Sequence, residues 1–401
     1  MLLFLERIIV SSLSMAVQGL NVYNRLGMIH KNIKRTPLRK LIVLSIFSRA
    51  LVFLAAVAAA SIFGERPCTD CWDIGVPFLN LFSRWDSGHY TDIAMHGYSK
   101  VIVPNWDFFP GYPILMALLG RLLAASTQMQ LLVAINLTGF VVSNLAFLGA
   151  IYFFYKLSFK LLHNPDTAYN SALYLAICPA GVFLSAVYSE SLFLMLTIGS
   201  LYYWQLGNLG KSSVLGFFSA ITRPVGIILA VPYLFRALSS NRRHFAKTYL
   251  PVASILLGYL IFMIYSQFMT GTPFANFAAE YLYWGVSLNP ISKMVLAYEE
   301  LLANPIILPY IVLSIFAIAA SIWSIKSRVE AAIVLYAVCL LIIYLVSPID
   351  SFPRYSITLL PIYWSLSRWS KSLVVKRFMI AFLVALLVIG TSLFVNWYNF
   401  Y

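Results

Sequence analysis

Long apolar runs alternate with short polar or basic stretches along nearly the whole chain. A helix needs about 20 predominantly apolar residues to cross a bilayer. By that measure residues 41–63, 130–155, 168–187, 191–206, 248–268, 304–325, 330–347 and 378–397 read as spans, with a short one after Arg354. Residues 112–125 are too few for a crossing and read as a helix that dips into the membrane. The run 212–236 is broken by Thr222-Arg223-Pro224 and reads as a re-entrant hairpin with Arg223 at its tip. Non-helical backbone at membrane depth is tolerated where it lines a polar cavity. The pattern predicts an all-α polytopic membrane protein of about ten to eleven transmembrane helices. It forms one domain over residues 1–401, with an interfacial or cytoplasmic segment at 1–40. Residues 1–24 read equally as an interfacial helix, a weak first span or an extension upstream of a start at Met28.

Composition agrees: 61% of the 401 residues are hydrophobic and 10% are charged, which excludes a soluble domain. The net charge of +14 does not point to nucleic acid, because most Lys and Arg lie in short clusters between apolar runs. Those clusters (Arg25 to Lys40, Lys156 to Lys160, Lys211, Arg236 to Lys247, Lys326 to Arg328, Arg368 to Arg377) mark cytoplasmic loops. The expected location is a multi-pass position in a prokaryotic cell membrane, or in the endoplasmic reticulum membrane of a eukaryote. Cys178 and Cys339 sit in apolar runs and read as core. Cys68 and Cys71 form a C-x-x-C that is either a local disulfide or two free thiols. A zinc site would need two more ligands.

The basic clusters place a long first loop, residues 64–127, on the outer side. Six of the chain's 14 acids fall within it: Glu65, Asp70, Asp73, Asp86, Asp92 and Asp107. Loops of this length between spans usually have a function. At about 100° per residue, a helix over 84–98 would carry Asp86, His89, Tyr90 and His96 within a third of its circumference. That face suits proton movement near a sugar; the plainer reading is an interfacial helix with its polar face among headgroups. Tyr188-Ser189-Glu190, the Arg223 tip and the Asp350 to Arg354 loop reach the same side. An acid with two arginines there suits a reaction on a phosphate-bearing lipid: arginine holds phosphate by paired hydrogen bonds, and a carboxylate takes a hydroxyl proton.

Ser83-Arg84-Trp85-Asp86-x-x-His89-Tyr90, Ala94-x-His96-Gly97-Tyr98 and Phe108-Phe109-Pro110-Gly111-Tyr112-Pro113 resemble the PIG-V family, GPI mannosyltransferase II and its prokaryotic relatives. The run Pro179 to Phe193 resembles that family's second block, and Thr222-Arg223-x-x-Gly226 and Arg354-Tyr355 resemble later landmarks. The resemblance implies a GT-C membrane glycosyltransferase with a polyprenyl (dolichyl) phosphate mannose donor, no cofactor and no metal. It implies Asp86 as the catalytic residue. The chain lacks the long insertions of the eukaryotic pattern, which favours a lipid or glycan acceptor other than GPI.

These readings combine into an inverting transfer with Asp86 as base and Arg223 and Arg354 on the leaving phosphate. Arg84, Trp85, His89, Tyr90, Asp92, His96, Tyr188 and Glu190 are expected to bind substrate. The alternatives are a transferase of another lipid-linked sugar and a lipid or sugar transporter. Transporters favour repeated halves and midplane charges, and this sequence shows no repeat.

Overall fold

A computed structural model describes residues 37–63, 73–239, 245–284, 315–316, 318–320, 322–323, 330–346 and 351–397. Among these residues there is no strand. The chain divides into two compact units, residues 1–40 and 41–401. Cys68, Cys71, Asp350, residues 1–36 and most of the expected span 304–325 lie outside the described residues.

The first helix, α1, covers Leu38–Ile62. In the segment that follows come α2 (Pro77–Phe82), α3 (Ser87–His96) and a 3-10 turn over Pro104–Asp107. Next, α4 (Gly111–Thr127) and α5 (Leu131–Leu162) pack against each other. After α6 (Pro165–Ala176), an irregular stretch with a 3-10 turn at Gly181–Leu184 leads into α7 (Glu190–Gln205). Helix α8 (Leu209–Thr222) stops at Arg223, followed by a 3-10 turn at Pro224–Leu229 and α9 (Ala230–Ser239). Packed on α8 is α10 (Phe245–Thr270), while α11 (Ala275–Trp284) packs on the Pro104–Asp107 turn. The remaining helices are α12 (Ala331–Val346), α13 (Phe352–Ser356), α14 (Leu360–Trp369) and α15 (Leu373–Val395).

Four of these are long and apolar enough to cross a membrane: α1, α5, α15 and the Tyr249–Thr270 part of α10. Their outward faces carry large apolar side chains such as Phe47 and Leu54 on α1, Phe268 on α10 and Phe378 on α15. In water such faces would be unfavourable; in lipid they are the expected exterior. The protein is an integral membrane protein. Helix α4, at 17 residues, is shorter than a crossing, as its sequence suggests, and exposes Ile114, Leu118 and Leu122.

The expected span 168–187 is only half helical. Pro179 has no N–H to donate and disfavours helical backbone at the preceding Cys178. The freed backbone groups find other partners. The guanidinium of Arg49, buried in α1, donates to the carbonyls of Gly181 at 2.7 Å and Ala176 at 3.0 Å, and to Ser185 Oγ at 3.0 Å. Asn144 donates to the Ser185 carbonyl at 3.1 Å, and the Val187 N–H reaches the Phe82 carbonyl at 2.9 Å. Irregular backbone persists at membrane depth because it is satisfied in this way. Arg49, passed over as one residue of an apolar span, is the residue this arrangement depends on.

The break at Thr222-Arg223-Pro224 falls where the sequence places it. A Cβ on Gly226 would collide with the Ser219 carbonyl oxygen, so only glycine lets the chain fold back against α8. One on Gly111 would meet Thr222 Oγ1 at 2.8 Å, so the start of α4 touches the end of α8 beside Arg223.

Candidate active site

Asp86 precedes α3 rather than lying on it. Trp85 takes a left-handed backbone, φ 56°, which is rare for a bulky side chain. Its indole Nε1 donates to the Phe394 carbonyl at 3.2 Å, and its ring lies 5.0 Å from Trp397. The guanidinium of Arg84 lies over the same Trp397 ring at 5.0 Å. These two side chains therefore anchor the turn to the end of α15. The backbone N–H of Asp86 donates to the Tyr188 hydroxyl at 3.1 Å. The far end of α3 is held by Gly97, φ 80°, and by Arg121, whose Nη2 donates to the Met95 carbonyl at 2.8 Å. Both are favourable helix C-terminal devices.

The turn aims Asp86 at Arg354, 268 residues away, with which it forms an ion pair. The two side chains are only 13% and 8% exposed. Arg354 Nε also lies 3.6 Å from Glu190 Oε1, and the same oxygen pairs with Arg223 Nη1. The result is one buried path, Asp86–Arg354–Glu190–Arg223. Glu190 stands in the first turn of α7, where the helix dipole favours a negative charge. Its second oxygen, Oε2, is buried without a hydrogen-bond partner. Around the path, Arg223 donates to Ser189 Oγ at 3.2 Å and Tyr90 shares a 2.7 Å bond with the same hydroxyl. Burial pushes the Tyr90 phenol up, so it stays a neutral hydroxyl. The Arg354 guanidinium lies 5.0 Å from the Tyr355 ring and 5.7 Å from Tyr188.

Asp86, Tyr90, Tyr188, Glu190, Arg223 and Arg354 thus come together. Asp92 and His96 do not join them. They pair with each other at 2.8 Å on the outer side of α3, with side chains 39% and 62% exposed, and border an open cleft of about 380 Å³. The 100° reading holds at the start of the helix, where Asp86 is a helical N-cap whose carbonyl accepts from the Tyr90 N–H at 3.3 Å, but a third of the circumference is wide enough to leave His96, at the far end, on another side. His89 lies between the two groups. Asn105 donates through Nδ2 to Asp92 at 2.6 Å, which turns Oδ1 toward His89 Nδ1 at 2.8 Å. That oxygen only accepts, so Nδ1 carries a proton and donates it.

Two further acids were not among the expected site residues. Asp107 ends the 3-10 turn, half-buried, and Glu280 comes from α11, which packs on that turn. Burial, then the Glu280 and Asp86 carboxylates, hold the Asp107 carboxyl well above the usual range, against the pull of Arg354 and Arg223. Their sequence signal is only that both lie in outer segments.

Apolar helices around one buried set of acids and arginines, Asp86, Arg354, Glu190 and Arg223, define a polytopic membrane protein with a buried charged centre. A family model described as mannosyltransferase (PIG-V) matches residues 72–294, more than half of the chain. The chain belongs to that family. It is 31% identical over 205 residues to the GPI alpha-1,6-mannosyltransferase 2 of Homo sapiens, covering 50% of this chain and 40% of that one. With the GPI mannosyltransferase 2 of Aspergillus fumigatus the identity is 32% over 195 residues, covering 45% and 37%. These matches span two-fifths or less of the relatives' length. Among solved structures, the oligosaccharyltransferase of Archaeoglobus fulgidus aligns over 88% of this chain and 55% of its own. Its TM-score is 0.46 at 11% identity, too slight a likeness to carry an argument.

Proposed function

We propose that this protein is an inverting mannosyltransferase. It moves mannose from a polyprenyl phosphate mannose donor to a lipid or glycan acceptor at the outer face of the membrane. The observation that carries the reading is the buried path that joins Asp86 to Arg354, Glu190 and Arg223. Family membership supports the sugar, and the relatives' names supply the mannosyl transfer as their own activity.

Transfer forms one bond and breaks one. The acceptor oxygen attacks the anomeric carbon, the bond from that carbon to the phosphate oxygen breaks, and the electron pair leaves on the lipid phosphate. Negative charge therefore grows on phosphate as the reaction proceeds, and preorganised cations near it stabilise the transition state more than the ground state. Arg354 and Arg223 fill that role. In the structure both are engaged by carboxylates. A donor phosphate that draws Arg354 toward itself frees the Asp86 carboxylate to take the acceptor's proton. Binding of the donor and activation of the base become one event.

The test is an assay on membranes carrying the protein. Mannose should move from polyprenyl phosphate mannose, with several acceptors tried in parallel, and a chelator should not stop it. Transfer by purified protein from a nucleotide sugar alone would overturn this reading.

A further inference from the structure

Like charges crowd the site. Arg354 and Arg223 both approach the same oxygen of Glu190, so two guanidiniums stand around one carboxylate. An aromatic ring is another means of holding a cation, because its quadrupole attracts positive charge within about 6 Å of the centroid. Three rings surround the Arg354 guanidinium: Tyr355 at 5.0 Å, Tyr188 at 5.7 Å and Phe183 at 5.8 Å. Of these three, Tyr355 also reaches Arg223, whose guanidinium is 5.8 Å from its centroid. The Tyr355 hydroxyl accepts from Arg354 Nη2 at 3.2 Å. One side chain thus meets both arginines of the path.

That ring is itself held in place. Tyr344 of α12 stacks on it, with centroids 5.1 Å apart and planes 23° from parallel. The Tyr344 hydroxyl shares a 2.8 Å bond with Thr358 Oγ1, which donates to the Tyr355 carbonyl at 2.9 Å. Helix α12 therefore fixes Tyr355 without drawing on any member of the charged path. We propose that Tyr355 is a positioning residue for donor binding, whose ring keeps the two guanidiniums together while carboxylate is exchanged for phosphate. This rests on the transfer reading above. In the structure each arginine has a carboxylate, and the ring adds to a hold that already exists. Once Arg354 leaves Asp86 for the phosphate, the ring is the contact that need not break. It therefore stabilises the donor-bound arrangement more than the free one, which is the condition for a contact to change affinity.

The ring's charge distribution can be altered with little change in its size, which separates this role from packing. Tyr355→Phe keeps the ring and removes the hydroxyl, so it serves as the reference. Measured in membranes with polyprenyl phosphate mannose, Tyr355→Leu should raise the donor's KM over that reference by roughly fivefold to thirtyfold, as for a desolvated cation over a ring. Because the ring acts equally on bound donor and on the transition state, kcat and the acceptor's KM should stay close to the reference. Mono-, di- and trifluorinated phenylalanine at position 355 withdraw density from the ring face step by step. The donor's KM should rise in the same order, between the limits set by the Phe and Leu variants.

A donor KM that stays flat along the fluorine series, or that is equal in Tyr355→Leu and Tyr355→Phe, would overturn the proposal. A graded rise in the acceptor's KM with the donor's unchanged would overturn it as well. Thermal melting supplies a check independent of transfer. The fluorinated variants should melt close to Tyr355→Phe, because the carboxylates already hold both arginines in the free protein. Melting that falls along the series while the donor's KM does not move would assign the ring to stability alone. If Tyr355→Leu does not fold, the fluorine series decides by itself, since it preserves the packing on Tyr344. Failure of the underlying reading looks different: the wild type itself would then transfer nothing from the lipid donor.

Discussion

Two arginine–carboxylate pairs in this molecule have the same chemistry and opposite settings. Arg354 and Asp86 meet with side chains 8% and 13% exposed. Arg236 on α9 and Glu330 just before α12 meet at 2.9 Å with side chains 52% and 30% exposed. The second pair sits in a high-dielectric surrounding, where ion pairs stabilise by about 0–1 kcal/mol. The first has lost most of its water, and its partners continue into Glu190 and Arg223. Buried pairs gain little stability over apolar packing, and breaking one by removing a partner costs about 3–5 kcal/mol. A cluster so costly to leave incomplete, and so little needed for folding, points to use in chemistry. The exposed pair needs no such reason.

The comparison breaks most clearly at Asp86. Asp86→Asn keeps shape and much of the hydrogen bonding to Arg354 while removing the base. Positioned base catalysis contributes about a hundredfold to ten-thousandfold in rate, and transfer should drop by at least about the lower figure. The chain should still insert and fold, because Glu190 at 3.6 Å still neutralises Arg354. Donor binding should survive or tighten, since Arg354 no longer has Asp86 as a competitor. Near-normal turnover in this variant would remove Asp86 from the mechanism.

The effect of Arg223→Ala should be smaller and fall on the donor. A hydrogen bond to a charged group is worth about 1.5–3 kcal/mol, so the donor's KM should rise by roughly tenfold to a hundredfold. Because Arg223 also holds Ser189, which holds Tyr90, kcat should fall modestly as well. A variant that changes the acceptor's KM and leaves the donor's unchanged would show that Arg223 does not meet the phosphate.

The two pairs also mark how far the sequence could be read. Apolar run length revealed the long spans, and Pro224 beside Arg223 revealed the helix break there, because both are local properties of the chain. The first-loop acid and the two arginines were legible as rare charges in an oily context. Their pairing was not: nothing local links Asp86 to a residue 268 positions on. Arg49 went unnoticed because its partners, two backbone carbonyls and the Ser185 hydroxyl, belong to a segment that reads as a helix. Asp107 was legible only as one of six first-loop acids, because the surroundings that raise its carboxyl are made by folding. The face drawn over 84–98 shows the opposite error: a third of a circumference is wide enough to hold residues, such as Asp86 and His96, that meet different partners.

The smallest expected effect lies at the exposed pair. Arg236→Ala removes a guanidinium that pairs with Glu330 and also lies 4.9 Å from the Trp204 ring. Both contacts face partly into a high-dielectric medium, so the loss should be about 0–1 kcal/mol, with the ring contact adding about 0.5–1 kcal/mol. The ion-pair part is screened by salt, and the gap between variant and wild type should narrow as ionic strength rises. Glu330 keeps its contact with Gln205 Nε2, so the carboxylate is not stranded. Transfer at saturating donor and acceptor should match wild type, because no member of this pair touches the Asp86 path. Thermal melts of Arg236→Ala and Asp86→Asn at low and high salt would measure the contrast directly. A loss in Arg236→Ala as large and as salt-insensitive as in a buried pair would show that exposure does not separate the two. A fall in transfer would tie this distant end of the molecule to the site.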